Sequence, residues 1–225
     1  GKIPAWLGGN LQWSNQLSNF LRKKLNEIGT STDEPELIAL QPLFDIQAHR
    51  SRVPNDRELL LEYFKDREGY HLLCYPLEGR FVNEGLVNLL AYRIGQRQPI
   101  TFSIAVNDYG FELLSDQEID IRLFVEEGLF SLENLTSDIQ SSINTMEMAK
   151  RRFRDIASIA GLIFKGFPGK QKRDRHLQSS AQLFFEVFSD YEPNNLLLLQ
   201  AYEEVMTFQL EEARLRTALE RINQQ

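Results

Sequence analysis

Basic residues are concentrated in one part of an otherwise acidic chain. Residues 145–175 contain nine Lys or Arg against three acids, a local charge of +6, whereas the 225-residue chain has a net charge of −7. Positive charge segregated in this way usually faces a polyanion, most often nucleic acid. A solvated helix face is the other interpretation. The candidate phosphate-binding residues are Lys150, Arg151, Arg152, Arg154, Lys165, Lys170, Lys172, Arg173 and Arg175.

The spacing within this stretch favours a helix with two different sides. Arg151 and Arg154 fall at i and i+3, so both side chains can project outward together. They could equally belong to an ordinary exposed helix, because Glu147 and Asp155 lie four residues on either side of Arg151 and can pair with it. The opposite, apolar stripe consists of Phe153, Ile156, Ala157, Ala160 and Ile163.

Catalytic motifs are absent from the sequence. Gly161 and Gly166 have the glycine spacing of a Walker A loop, but Phe167 follows, so no lysine is placed to hold phosphates. Glu126 and Glu127 are adjacent and would point apart, which does not suit paired-carboxylate catalysis. The three histidines lie in unrelated contexts. The sequence therefore predicts binding, with no cofactor held by this fragment.

His71 and Cys74 have a spacing that metal ligands can have, but no second pair follows them. The alternation around them favours a strand with one buried thiol. Because Cys74 is the single cysteine, an internal disulfide is excluded.

The N-terminal section predicts two helices. Ser14 can cap a helix that continues to about Ile28, with one apolar side, and Gly29 can end it. A second helix is expected over Pro35–Arg50, with proline at its first position. The apolar side of the first consists of Leu17, Phe20, Leu21, Leu25 and Ile28, and one side of the second of Leu37, Leu40, Phe44 and Gln47.

The middle section has the two-residue period of strands. Residues 59–66 and 70–76 form one expected hairpin, and residues 100–108 and 110–115 form another. Asn107 and Tyr109 lie at the tip of the second, where turn chemistry is the favoured interpretation. Between the hairpins, residues 80–98 are amphipathic, through Val82, Leu86, Leu89, Leu90 and Arg93. Two antiparallel β-hairpins around a helix, packed with a larger C-terminal helical section, make an α+β fold.

Four helices are expected in the C-terminal section, over 132–144, 145–164, 175–191 and 195–222, with a Gly-Pro-Gly turn at 166–169. The last is acidic and is expected to serve packing or partner contact. We expect one domain over 1–225, with sub-sections 1–53, 54–115 and 116–225. No run approaches the ~18 apolar residues of a membrane span, and no signal peptide is evident, so the expected location is cytoplasmic.

The sequence resembles the C-terminal region of the ligase-associated DEXH-box DNA helicases, in the large helicase-related (Lhr) branch of superfamily 2. The stretches that carry the resemblance cover essentially the whole chain: GKIPAWLGG (1–9), NEGLVNLLAYRIGQRQPITFSIAVNDYGFELLS (83–115), LFSLENL (129–135), EMAKRRFRDIASIAGLIFKGFPGK (147–170), LQSSAQLFFEVF (177–188) and EPNNLLLLQAYEEV (192–205). The start without Met reads like a connector within a larger protein.

The resemblance implies an accessory domain of an ATP-driven 3′-to-5′ DNA helicase in bacterial DNA repair. ATP and Mg²⁺ would be bound by RecA-like motor domains that precede a winged helix, and this region would help to clamp the tracking single strand. The implied partners are single-stranded DNA, the motor and winged-helix domains of the same polypeptide, and an ATP-dependent DNA ligase, a nuclease and a phosphoesterase encoded nearby. A family tryptophan matches Trp6, and the RRFR arginines match Arg151, Arg152 and Arg154.

Physical reasoning supports these positions, because a sequence-blind helicase must hold its strand through phosphates and stacked bases. Trp6 lies between Pro4 and two glycines and can be a stacking platform or a hydrophobic plug, whereas Trp13 is expected in the core. Two functions stay open: a strand-guiding domain, and a protein-interaction module that docks motor domains or a DNA ligase without touching DNA. A base-excision enzyme is a weaker third, since no catalytic carboxylate can be located.

Overall fold

Two β-hairpins join into one four-stranded antiparallel sheet with the order β1-β2-β4-β3. The structure, a computed structural model, describes residues 12–29, 33–164, 166–167, 170–171, 174–209 and 211–224. The strands are β1 (Leu60–Lys65), β2 (Tyr70–Tyr75), β3 (Ser103–Val106) and β4 (Phe111–Ser115). The hairpin predictions are confirmed, and with the helices described below they confirm the α+β class.

One long helix, α3 (Arg80–Arg97), connects the hairpins and packs on the sheet. Its residues Val82, Leu86, Leu89, Leu90 and Ile94 are fully buried against strand residues such as Leu72 and Leu113. The strands contribute to this contact through the alternation of their side chains, since every second residue of a strand faces α3. This layer is the core that the amphipathic pattern predicted.

Arg93 was predicted on the apolar side of α3, and the structure gives it a polar role there. Its guanidinium donates to the carbonyls of Leu129, Ser131 and Glu133 at 2.7–2.9 Å and pairs with Asp138 at 2.9 Å. A guanidinium has five donors in a fixed fork, so one side chain can satisfy the carbonyl groups of a whole turn. Arg93 therefore fixes the loop that leads into the C-terminal helices.

Gly110 precedes β4 at a point where the backbones of the two hairpins lie close together, and this closeness explains why the residue is glycine. A Cβ atom there would lie 2.2 Å from the carbonyl oxygen of Cys74 in β2. Real Cβ atoms do not approach backbone oxygens so closely, so any side chain must push β2 and β4 apart. The pairing of the two hairpins depends on this glycine.

The C-terminal section is helical, as predicted, but its boundaries differ. Its helices are α4 (Ile121–Glu126), α5 (Leu135–Ser141), α6 (Ile143–Ile159), α7 (Asp174–Tyr191), α8 (Leu196–Glu204) and α9 (Glu212–Ile222), with a π-helix over Val205–Gln209 between the last two. Phe153 of α6 meets Phe185 and Phe188 of α7 edge-on, with ring centroids 5.6 and 6.0 Å apart. These rings form the centre of the helical core.

Three helix predictions in this section were wrong in extent. The six-residue α4 was missed. The boundary between α5 and α6 lies at Ser142, whose hydroxyl accepts from the Thr145 amide at 3.3 Å, and α6 ends at Ile159 instead of continuing to 164. The expected helix over 195–222 is interrupted, because Glu211 has a left-handed backbone with φ 47°. Neither proline nor glycine marks that break.

Two helices precede the sheet, α1 (Asn15–Leu25) and α2 (Pro35–Arg50). The predicted cap is confirmed, since the Ser14 hydroxyl accepts from the Leu17 amide at 3.2 Å. The predicted apolar side of α1 was wrong: Leu17 and Phe20 are exposed, whereas Ser18 and Arg22 are buried. Arg22 is buried against a carboxylate, so its charge is compensated on that side of α1.

That carboxylate belongs to Glu78, in the loop between β2 and α3. Its Oε1 lies 2.6 Å from Arg22 of α1 and 3.3 Å from Arg221 of α9. Arg22 also donates to the carbonyl of Leu77 at 3.1 Å. Burial lowers the pKa of Arg22, and the charge of Glu78 opposes that shift. The first and last helices are thus held to the sheet at one point.

We expect Gly110→Ala to destabilise the fold by about 3 kcal/mol or more, because the new Cβ collides with the backbone of Cys74. Gly95→Ala is the matched control: it lies in α3 with open space around the added methyl, so it should stabilise the fold by about 0.5–1 kcal/mol. Urea unfolding followed by circular dichroism measures both. Equal stability of the two variants would contradict the steric account of the hairpin junction.

Candidate nucleic-acid interface

Three cations of the basic segment surround an open cleft between α6 and α7. Lys150, Arg151 and Arg154 line it together with Glu147, Ala181 and Gln182, and the cleft has a volume of about 210 Å³. The sequence predicted the cations but gave no signal for the α7 residues. A local sequence pattern does not indicate which helix packs beside α6. The small side chain of Ala181 leaves the space between the helices. We call this site the α6 cleft.

The position of these cations follows from how α6 packs. Ala149, Phe153, Ile156 and Ala157 are buried against the neighbouring helices. This confirms most of the predicted apolar stripe, although Ala160 is exposed beyond the end of the helix. Residues at 100° intervals then place Arg151 and Arg154 on the outer side.

The charges in the cleft are only partly compensated. The Nζ atom of Lys150 lies 3.0 Å from Glu147, and the Nε atom of Arg154 lies 4.0 Å from Asp155. Arg151 is exposed, and within the described part of the chain no acidic side chain pairs with it. Of the two acids that could pair with Arg151, Glu147 pairs with Lys150 instead. A charge in this position is available to an anion from solution.

Arg152 lies apart from these three cations. It forms an ion pair with Glu204 of α8, so its charge is used between two helices of the same domain. Whether it also contacts nucleic acid stays a prediction. Its placement follows from the helix, because adjacent residues project about 100° apart.

The other candidate residues are placed only in part. Trp6, Lys165, Lys172 and Arg173 lie outside the described residues. Lys170 belongs to a two-residue strand, β6 (Lys170–Gln171), that pairs with β5 (Gly166–Phe167), and Arg175 lies in the first turn of α7. Two short paired strands thus lie at the expected turn. The roles of all six residues in binding stay predictions.

The tip of the second hairpin confirms the turn interpretation. The side-chain oxygen of Asn107 accepts from the amides of Tyr109 and Gly110, both at 2.9 Å. This is an Asx turn, in which the side chain mimics a backbone carbonyl. Tyr109 is left exposed at the tip, with its ring against the edge of Trp13 at a centroid distance of 5.2 Å.

The structure does not bring His71 and Cys74 together. They lie three residues apart on β2 and therefore on opposite faces of the sheet. Cys74 is fully buried, as predicted, and burial raises the pKa of its thiol well above the ordinary value. The described residues contain no group of three or more side chains suited to a metal ion.

The family is decided by a match along most of the chain. Residues 53–225 match the family model described as DEAD/H associated. The chain belongs to the DEAD/H associated family.

Known relatives of this DEAD/H associated chain are helicases. ATP-dependent helicase Lhr-Core protein 2 of Thermococcus barophilus is 28% identical over 219 residues, and ATP-dependent helicase Lhr-Core of Methanocaldococcus jannaschii is 26% identical over 214. Each match covers 91% of this chain and 25% of the relative, so the chain spans about a quarter of their length. These matches confirm the resemblance to Lhr-type helicases. Because both organisms are archaeal, the bacterial origin stays a prediction.

A solved structure has the same fold as this DEAD/H associated chain. It is that of Mycobacterium smegmatis helicase Lhr bound to ssDNA and AMP-PNP, with a TM-score of 0.72 at 18% identity. The likeness covers all of this chain and 30% of that one. None of the described helices has the length and apolarity that a bilayer-crossing segment needs.

One titratable cluster lies on the outer face of the sheet in this DEAD/H associated domain. The ring of His71 lies between Glu112, at 2.5 Å from Nδ1, and Asp66, at 2.8 Å from Nε2, and stacks on Phe64. The hydrogen bond to Glu112, and then that to Asp66, raises the pKa of His71. The same contact with His71 lowers the pKa of Asp66. Protonated His71 thus holds two adjacent strands together.

The signs of these shifts predict how stability varies with pH. The contribution of His71 is fully present below its unfolded pKa of 6.5 and is lost as pH rises through the raised folded value. The contribution of Asp66 is present above 3.8 and is lost as pH falls through its lowered folded value. We expect the stability gap between wild type and His71→Gln to be greatest between these limits and to shrink at higher pH.

Urea unfolding at a series of pH values measures this gap. His49→Gln is the matched control, because His49 is exposed on α2, and it should show no such dependence. A gap for His71→Gln that stays constant from pH 5 to pH 9 would mean that the imidazole charge does not contribute.

Proposed function

We propose that this chain is a strand-guiding domain of an Lhr-type ATP-dependent helicase, and that the α6 cleft holds the phosphates of single-stranded DNA. The observation that carries the proposal is the juxtaposition of Lys150, Arg151 and Arg154, with Arg151 uncompensated by any described carboxylate. Family membership and the helicase relatives support it. So does the likeness to a helicase solved with ssDNA.

The arrangement of cations in the α6 cleft suits binding of a DNA strand without regard to its sequence. Two guanidinium groups one helical turn apart can contact neighbouring phosphates with bidentate hydrogen bonds. Such contacts fix the position of a strand without reading its bases. A helicase that translocates along any sequence needs contacts of this kind, and they must stay weak enough to be exchanged at each step.

The proposed cellular role follows the family resemblance. The domain would act within a longer polypeptide whose RecA-like motor domains bind ATP and Mg²⁺ and move 3′ to 5′ along DNA, in the cytoplasm. DNA repair, with an ATP-dependent ligase and a nuclease as partners, is the proposed context. The domain itself would contribute no catalytic group and would act as one unit over residues 1–225.

A second candidate function, docking without DNA contact, is favoured by the surface of α2. Ile38, Leu40, Leu43 and Ile46 are each 43–60% exposed on a helix that is apolar on nearly all sides. Apolar surface of this extent on a helix usually faces another protein surface. The two functions are compatible, and DNA binding by this chain decides whether the first one holds.

We expect Arg151→Ala combined with Arg154→Ala to weaken binding of a fluorescent single-stranded oligonucleotide and to flatten its salt dependence. Each phosphate contact contributes about 0.7 to the log–log salt slope for single strands, so the slope should fall by about 1.4. Fluorescence anisotropy over a range of salt concentrations measures both quantities.

The matched control is Arg57→Ala combined with Arg122→Ala, which removes the same charge from exposed arginines in the loop before β1 and in α4. This control variant should lower the affinity for DNA slightly and keep most of the salt slope. If both double variants change the slope equally, general charge and not the α6 cleft attracts DNA. A chain that binds no DNA but binds motor domains would favour the docking function.

A further inference from the structure

A second cleft lies between the N-terminal segment and the tip of the second hairpin. It has a volume of about 270 Å³, and its walls include the ring of Trp13 and the side chains of Arg80 and Arg214. Three carboxylates, Glu84, Asp108 and Glu211, also line it. We call this site the Trp13 cleft. Nothing in the function proposed above uses it.

Trp13 is held rigidly at the edge of this cleft and was wrongly expected in the core. Tyr109 meets its ring edge-on, and its backbone carbonyl accepts a hydrogen bond from Arg214. On the other side, Gly79 has φ +86°, and a Cβ atom there would lie 2.9 Å from the Cβ of Trp13. The indole is half-buried, so part of it stays open to the cleft. A fixed, partly open aromatic ring is what a stacking platform requires.

The charges around the Trp13 cleft exclude a phosphate and suit a base. Arg80 pairs with Glu84 at 3.1 Å, Arg214 pairs with Glu211 at 2.5 Å, and Asp108 accepts from the backbone amide of Arg80 at 3.1 Å. A phosphate would meet three carboxylates here, and both arginines are already paired with two of them. A nucleobase is uncharged and carries donors and acceptors on its edge, which carboxylate and guanidinium groups can match.

The Trp13 cleft is continued by a groove that reaches α6. A third groove, of about 410 Å³, shares Arg80 and Glu84 with the Trp13 cleft and reaches Met148 of α6. Met148 precedes Arg151 by three residues, which is less than one helical turn. A strand that passes from α6 to Trp13 would follow this groove along α3.

We propose that the Trp13 cleft takes one unstacked nucleobase of the single strand whose phosphates are held in the α6 cleft. The proposal rests on the function proposed above. Arg80 lies over the mouth of the cleft as a 55% exposed side chain and can cover the base with its guanidinium plane. Contact through a stacked base is insensitive to sequence, since every base has an aromatic face.

Two strands of equal length and charge test this proposal: oligodeoxythymidine and the same backbone with abasic residues. We expect wild type to prefer the base-bearing strand by about fivefold or more. Arg80→Ala and Tyr109→Ala should each reduce this preference while leaving the salt slope unchanged. Both residues are exposed, so these variants avoid the folding risk of Trp13→Ala.

Matched controls are available in the same chain. Arg216 is exposed and pairs with a glutamate four residues away, as Arg80 does, and Tyr191 is more exposed than Tyr109. Arg216→Ala and Tyr191→Ala should keep the preference. A preference that survives in both Arg80→Ala and Tyr109→Ala overturns the proposal, and if the salt slope still depends on Arg151 and Arg154, the strand-guiding function stands.

Fluorescence gives an independent readout. The chain has two tryptophans, so quenching of Trp13 is measured as the quenching that wild type shows and Trp13→Phe lacks. We expect the base-bearing strand to quench it and the abasic strand to leave it unchanged. Equal effects of the two strands overturn the Trp13 cleft as a base site. Absence of wild-type binding to either strand overturns both this inference and the strand-guiding function.

Discussion

The buried carboxylate of Glu78 connects the two ends of the chain to the sheet. It neutralises Arg22 of α1 and Arg221 of α9, both largely removed from water. Because an isolated charge in such a place costs several kcal/mol, loss of the Glu78 carboxylate would leave both arginines without this compensation. Glu78 also directly precedes Gly79, against which Trp13 packs. The positions of α1 and Trp13 therefore depend on this ion cluster.

Charge distribution divides the surface into regions with different tasks. The net charge of −7 repels a polyanion from most of the chain, so the local excess on α6 restricts where phosphates can lie. At the Trp13 cleft three carboxylates lie beside two arginines, so positive charge is not in excess there. An acidic protein can in this way hold a nucleic acid weakly and in one orientation, which a uniformly basic surface cannot do.

Local patterns in the sequence predicted much of this fold and less of its sites. The alternation of Phe102, Ile104 and Val106 and the stripe around Phe153 predicted a strand and a helix, because a single element determines them. The buried side of α1 could not be predicted, because the buried partner of Arg22 is a glutamate 56 positions away in the sequence. The interruption at Glu211 also has no local signal. In the α6 cleft, Arg151 and Arg154 were identified by type, whereas the pairing of Arg152 with Glu204 required knowledge of which helices meet.

The hydrogen bond between Arg214 and Asn15 joins residues 199 positions apart, and this separation has a consequence for synthesis. The sheet and α3 are complete once Ser115 has left the ribosome, so this layer can form early from contacts of moderate range. The N-terminal segment cannot be fixed in place until α9 has left the ribosome. During that interval α1 and Trp13 stay accessible to chaperones.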